Sequence, residues 1–218
     1  MNPKNATPQT NSAELMDFAI LEIEESLQTL QKVYSRTIHN LSNLRLTVQA
    51  AAETDELTHL LRRGSFLCRL ERMLNDAHGR GEDVQIMMID LDHFKAINDR
   101  FGHQAGDEVL ERVGTLLTQY LRPGDLAGRY GGEELIVAVE CSEWDALEVA
   151  ERLRAAVSEA VFAMAQGHQV TMSVGVASAK TFGFDASRLI AAADRSLYAA
   201  KDAGRNRVTC ARPTEDAA

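Results

Sequence analysis

The chain has 218 residues, 45% of them hydrophobic, which suffices for one sizeable buried core plus an appendage. Its 23 basic residues are outnumbered by 32 acidic ones, and the formal charge of -9 opposes wrapping of a long nucleic acid while admitting a nucleotide that arrives with magnesium. No apolar run approaches the roughly 20 residues of a membrane span, and Cys68, Cys141 and Cys210 are too scattered for a zinc site, so a cytoplasmic protein with reduced thiols is expected.

Residues 1–12 are polar, carry Pro3 and Pro8, lack the blocks of a signal peptide, and are expected to form a disordered tail. Residues 13–53 contain neither proline nor glycine. Within them Ile20, Ile23, Leu27, Leu30, Tyr34, Thr37, Leu41, Leu44, Val48 and Ala51 recur alternately three and four apart. A 3.5-residue period is that of a coiled-coil seam, so a stalk helix and a homodimer are predicted. The alternative, a helix packed on its own domain, normally needs a wider apolar stripe.

From 54 to 212 the pattern is that of one compact domain. A helix is predicted over 64–77, a strand over 84–90, a short helix over 93–99 and, after Gly102, a long helix over 105–121. Pro123-Gly124 then turns the chain into Arg129-Tyr130-Gly131-Gly132-Glu133-Glu134-Leu135, where two glycines before the apolar 135–139 predict a tight hairpin. Ser142 has capping-box spacing ahead of a helix over 146–161. A strand over 170–179, a helix capped by Asp185 and ending near Gly204, a strand over 208–211 and a loose tail over 213–218 complete the series. Alternating strands and helices with one antiparallel hairpin predict an α+β or α/β domain with a mixed central sheet.

Two acidic pairs stand out. The apolar run 86–89 ends in Asp90-Leu91-Asp92, so a carboxylate emerges where a buried strand meets solvent, and Glu133-Glu134 follow the hairpin glycines. Adjacent carboxylates repel unless a metal ion or proton offsets them, and a glycine turn admits a bulky ligand close to the backbone. A phosphate-metal site is therefore expected. Asp90 and Asp92 are expected to face apart, with Asp90 in the cleft and Asp92 capping the next helix.

The run 129–135 resembles the signature of GGDEF domains, the diguanylate cyclases, in a Gly-Gly-Glu-Glu variant. Further collinear matches are Asp55-Glu56-Leu57-Thr58, the segment 89–99, Phe101-Gly102-His103 with Gly106-Asp107, Ser173-Val174-Gly175-Val176, and 193–206 with Lys201 and Gly204-Arg205-Asn206. The resemblance spans about 55–208 and implies a ferredoxin-like palm that binds one GTP. Two facing domains would condense two GTP into cyclic di-GMP and release pyrophosphate. By position, Asp90, the Leu91 carbonyl, Glu133 and Glu134 would hold two Mg2+ or Mn2+ ions. A metal-bound carboxylate is a weak base, so Glu133 is assigned an electrostatic role and proton removal falls to Glu134 or water.

The same resemblance makes Asn98 and Asp107 the guanine readers, with His103 lining that pocket. An acceptor-only carboxylate can take the N1 and N2 protons of guanine, which adenine does not offer. Lys201 and Arg205, read as four apart on one helix face, would hold the β- and γ-phosphates, with Phe94 and Lys95 closing over them through backbone amides. Arg122-Pro123-Gly124-Asp125 resembles the family's inhibitory product site, with Arg122 and Asp125 as contacts and Arg152 or Arg154 as the second arginine. Three positions depart from the family pattern: Leu135 replaces phenylalanine, His59 glycine and Arg62 asparagine. An inactive receptor is the alternative reading; an RNA-binding module is disfavoured by the acidic charge and 6% aromatics. Control is expected through the stalk, by its assembly or by a regulatory protein gripping it.

Overall fold

The computed structural model describes residues 27, 28, 30–38 and 53–213. The expected tail over 1–12, most of the expected stalk and residues 214–218 lie outside the described residues. The chain divides into two units at Ala51 and Ala52, and each is taken by itself. In the first, residues 27, 28 and 30–38 are helical. Four residues of the predicted seam lie there, Leu27, Leu30, Tyr34 and Thr37, and all are exposed in the isolated chain.

The second unit is a six-stranded mixed sheet flanked by helices on both faces. In chain order it runs β1 (Leu61–Arg62), α1 (Arg63–Arg80), β2 (Val84–Leu91), α2 (Phe94–Phe101), α3 (His103–Tyr120), β3 (Leu126–Arg129) and β4 (Glu134–Glu140). It continues α4 (Glu143–Glu159), β5 (Met172–Ser178), α5 (Ala179–Phe182), α6 (Ala186–Asp202) and β6 (Val208–Cys210). The strand order is β1-β3-β4-β2-β5-β6. β3, β4, β2 and β5 pair antiparallel, giving the ferredoxin-like centre. β1 and β6 are added parallel at the two edges.

β2 is the middle of this sheet, and its eight residues are all buried because helices cover both sides. Strand alternation sends Met87, Ile89 and Leu91 into one core with Val109, Val113 and Leu117 of α3 and Leu153 and Val157 of α4. Val84, Ile86 and Met88 face the other way, against Phe66, Leu70 and Leu74 of α1 and Leu189, Ala193 and Leu197 of α6. Gly175 of β5 lets α6 come close, for a Cβ there would collide with the Ala193 carbonyl and the Leu197 amide. The helix ends follow local chemistry: the Ser142 side chain accepts from the Asp145 N–H and the Asp185 side chain from the Arg188 N–H, as their spacing predicts.

The predicted tight turn between β3 and β4 is a longer loop. Arg129 pairs with Leu135, and the N–H groups of Tyr130 and Gly131 both donate to the Glu134 carbonyl. Neither Gly131 nor Gly132 takes positive φ, so the two-residue glycine turn is not formed. A Cβ at Gly131 would crowd the carboxylate end of the Glu134 side chain, which would have to turn aside.

Candidate active site

β2 and the β3–β4 loop bring the acidic pairs together. Asp90 lies opposite Glu134 on β4 and Ser173 on β5, at the end of the buried strand. Its side chain is 10% exposed and takes an ion pair from Lys201 Nζ of α6 at 2.8 Å. Glu133, on the loop, is pushed above the usual carboxylate range by burial first and then by the charges of Asp90 and Glu134, with Lys201 opposing. Lys201 thus pairs with Asp90 and acts electrostatically on Glu133. Among the described residues no three His, Cys, Asp or Glu side chains close into a metal site by themselves. The donor chemistry nevertheless fits a hard divalent cation: the carboxylates of Asp90, Glu133 and Glu134 are hard oxygen donors close enough to repel one another, with Lys201 opposing their charge.

Asp92 is not the cap it was expected to be. Residues two apart in a strand share a face, so the separation of Asp90 from Asp92 arises because β2 ends at Leu91 and the chain turns. α2 is preceded by His93 at φ 56°, and no side chain caps it. Asp92 is buried and accepts from the Thr171 and Ser173 hydroxyls, each at 2.7 Å, and from the Asn206 N–H at 3.0 Å. The uncapped start of α2 leaves the Phe94 and Lys95 amides at a positive helix end.

α2 and α3 carry the predicted base readers. Asn98 is packed against Gly106, where a Cβ would collide with its Oδ1 and with the Phe94 ring. Asp107 and His103 are exposed at the start of α3. The expectation that Lys201 and Arg205 share a helix face is overturned. α6 stops at Asp202, and Gly204, Arg205 and Asn206 all take positive φ, which puts Arg205 in a turn beyond the helix. Its N–H returns to the Ala200 carbonyl at 3.0 Å, and its guanidinium has no protein partner among the described residues.

A second link reaches the loop from the domain's first residues. Asp55 accepts from the Thr58 N–H and hydroxyl, both at 2.9 Å, and from Arg129 Nη1 at 3.1 Å. Arg129 Nη2 in turn donates to the Gly132 carbonyl at 2.8 Å. Burial pushes the Asp55 carboxyl up, but the Thr58 and Arg129 contacts outweigh it and hold it below its ordinary value. The sequence reading gave Arg129 no role. His59, in the same segment, has φ 58°, which is why glycine suits that position.

At the far end of β4, Arg122, Asp125, Cys141, Asp145 and Arg152 line a cavity of about 330 Å³. Asp125 is folded back, its Oδ2 accepting from the Arg122 N–H at 2.8 Å. Arg152 faces this cavity, whereas Arg154 donates to Asn206 Oδ1 at 2.6 Å and to Glu151. Burial pushes the Cys141 thiol up to about 11, so it lines the wall as a neutral group.

The sequence profile of the family described as "Diguanylate cyclase, GGDEF domain" matches residues 52–207. The chain belongs to the GGDEF family. This GGDEF chain is 39% identical over 185 residues to the response regulator PleD of Caulobacter vibrioides, covering 83% of the chain and 40% of PleD. It is 38% identical over 191 residues to diguanylate cyclase A of Treponema denticola, covering 84% and 49% respectively. The chain thus spans less than half the length of these relatives. Among solved structures, the coiled coil and GGDEF domain of DgcB from Caulobacter crescentus, in complex with c-di-GMP, superposes with a TM-score of 0.77 at 30% identity. That match covers 85% of the chain and all of the DgcB structure. Diguanylate cyclase SiaD of Pseudomonas aeruginosa, in complex with its activator SiaC, gives 0.72 at 33% identity, covering 91% of the chain and 78% of SiaD.

Proposed function

We propose that this GGDEF domain condenses two GTP into cyclic di-GMP and two pyrophosphates, one nucleotide being bound by each of two facing domains. The observation that carries this reading is the convergence of Asp90, Glu133 and Glu134 beside Lys201, with the Arg205 guanidinium, unpartnered among the described residues, on the next turn. Asp90, the Leu91 carbonyl, Glu133 and Glu134 would hold two Mg2+ or Mn2+ ions. When bound, such ions offset triphosphate charge and make a ribose hydroxyl more acidic.

The chain's own residues do the rest. Lys201, Arg205, Lys95 and the amides at the start of α2 grip the phosphates, fixing the α-phosphorus in line for the partner nucleotide's 3'-hydroxyl. Asn98 and Asp107 select guanine, and His103 lines the base or ribose pocket. Glu134 or water takes the hydroxyl proton, and pyrophosphate leaves with the electrons of the broken bond. Arg122, Asp125 and Arg152 form the inhibitory product site, supported by the shared cavity they line.

The domain arrangement proposed is a tail over 1–12, a coiled-coil stalk over 13–53 and the catalytic domain over 54–212. The exposed Leu27, Leu30 and Tyr34 and the likeness to the DgcB coiled coil support a stalk that tethers two domains and raises their effective concentration. The likeness to SiaD, solved with an activator, supports control by a separate protein, and the stalk is the proposed place for it. No helix among the described residues is long and apolar enough to cross a membrane, and a cytoplasmic location is proposed with that. Incubating the protein with GTP and Mg2+ and identifying the product by mass tests the reading. Cyclic di-GMP is the expected product, and unconsumed GTP at a dimer-forming concentration would overturn it.

A further inference from the structure

Arg205 and Asn206, at φ 64° and 46°, are the only consecutive non-glycine pair in left-handed backbone among the described residues. That conformation is unfavourable for L residues and persists where surrounding bonds over-determine it. Here the bonds are visible. The Asn206 N–H donates to Asp92 Oδ2 at 3.0 Å, and Arg154 Nη1 of α4 donates to Asn206 Oδ1 at 2.6 Å. Arg154 is itself aimed by Glu151, whose Oε1 accepts from its Nε at 2.9 Å and its Nη2 at 2.6 Å. Asp92 is braced by the hydroxyls of Ser173 in β5 and of Thr171 just before it.

We infer that Asp92 and Arg154 are positioning residues that latch the 204–206 turn, so that the Arg205 guanidinium is presented to the β- and γ-phosphates of the nucleotide. The inference rests on the proposed role of Arg205 as a phosphate contact. Its physical basis is the contrast between two arginines: Arg154 is committed to protein acceptors, while Arg205, 51 positions on and exposed, has none among the described residues. A long exposed cation loses much conformational freedom when it binds, and a fixed backbone beneath it lowers that loss. The latch also explains why the motif ends in asparagine. Its amide oxygen takes the Arg154 bond, and asparagine tolerates left-handed backbone better than most residues.

The test is calorimetric binding of GTP and of GMP to the full chain with Mg2+, alongside KM and kcat, for Arg154→Ala, Asn206→Gly, Arg205→Ala and the Arg154→Ala/Arg205→Ala double variant. GMP lacks the phosphates that Arg205 is assigned. Arg154→Ala should weaken GTP about tenfold, the scale of one charge-assisted contact, and leave GMP affinity as it was. Asn206→Gly keeps the backbone N–H and tolerates the turn, so it removes only the Arg154 bond and should reproduce that loss. In the Arg205→Ala background the Arg154 change should add nothing, and Arg154→Lys should recover part of the affinity.

Equal losses for GMP and GTP, additive effects in the double variant, or unaltered GTP affinity would overturn the latch. A parent protein that makes cyclic di-GMP while Arg154→Ala binds GTP normally would sink the latch alone. A parent that binds GTP without turnover would sink the cyclase reading, while the binding cycle still decides the latch. A parent that does not bind GTP overturns both.

Discussion

Asp55→Ala removes the acceptor that joins the domain's first turn to the β3–β4 loop. It deletes the bonds from the Thr58 N–H, the Thr58 hydroxyl and Arg129, and it frees Arg129 from the carboxylate that aims it at the Gly132 carbonyl. Hydrogen bonds to a charged group are worth about 1.5–3 kcal/mol each, but these share one carboxylate, so a total of about 2–3 kcal/mol is expected. Both ion-pair side chains are 22% exposed, which keeps the figure well below the sum of three separate bonds. For a domain of this size such a loss lowers Tm by about 5–10 °C. The sign with pH follows from the lowered Asp55 pKa: its stabilisation is present above the unfolded carboxylate range and is lost as pH falls through the folded value. Thermal melts of parent and variant should differ fully at pH 7 and converge in acid. A double-mutant cycle with Arg129→Ala should be strongly non-additive. A Tm gap that persists unchanged in acid, or additive single effects, would refute the reasoning.

Glu133→Gln is expected to abolish cyclic di-GMP formation while raising Tm at neutral pH. The Glu133 pKa is raised in the fold, so its ionisation costs stability as pH climbs through the unfolded and then the folded value; the gain from Gln should vanish in acid, as pH-dependent melts would show. Arg152→Ala should relieve product inhibition, read as a progress curve that stays linear as cyclic di-GMP accumulates, because Arg152 faces the cavity with Arg122 and Asp125. Gly175→Ala should destabilise the domain by about 2–4 kcal/mol in denaturant melts, since the new methyl meets backbone of α6 that has no rotamer to yield.

The elements that were legible in the sequence are those whose signal is local. The caps at Ser142 and Asp185 and the buried run of β2 depend on neighbours within a few residues, and each formed where its chemistry said. β1 left no trace because two residues carry no periodicity; it exists only through its parallel pairing with β3. The Arg205 turn was misread because Lys201-to-Arg205 spacing fits a helix, and the signal that stops α6 is Gly204 together with Asp92, 114 positions before Asn206. The Gly131-Gly132 pair suggested a turn type, whereas neither glycine takes positive φ and a Cβ at Gly131 would displace only the end of the Glu134 side chain. Arg129 was invisible as a strut because its partner Asp55 lies 74 residues away.

If the proposed function holds, the charge arrangement accounts for a polyanion being held by a chain of net charge -9. Asp90 is nearly buried and is balanced by Lys201, but Glu133 and Glu134 add charge that Lys201 does not cancel, and the cost is visible in the raised Glu133 carboxyl. A fold optimised only for stability would pair or remove these acids, since an uncompensated, partly buried carboxylate is destabilising. On the proposed function their repulsion would be relieved when divalent positive charge arrives with the triphosphate, whose remaining negative charge would meet Lys95, Lys201 and Arg205. The acids alone would repel the nucleotide and the cations alone would bind any phosphate; acting together, as that function requires, they would favour a metal-loaded triphosphate over either component.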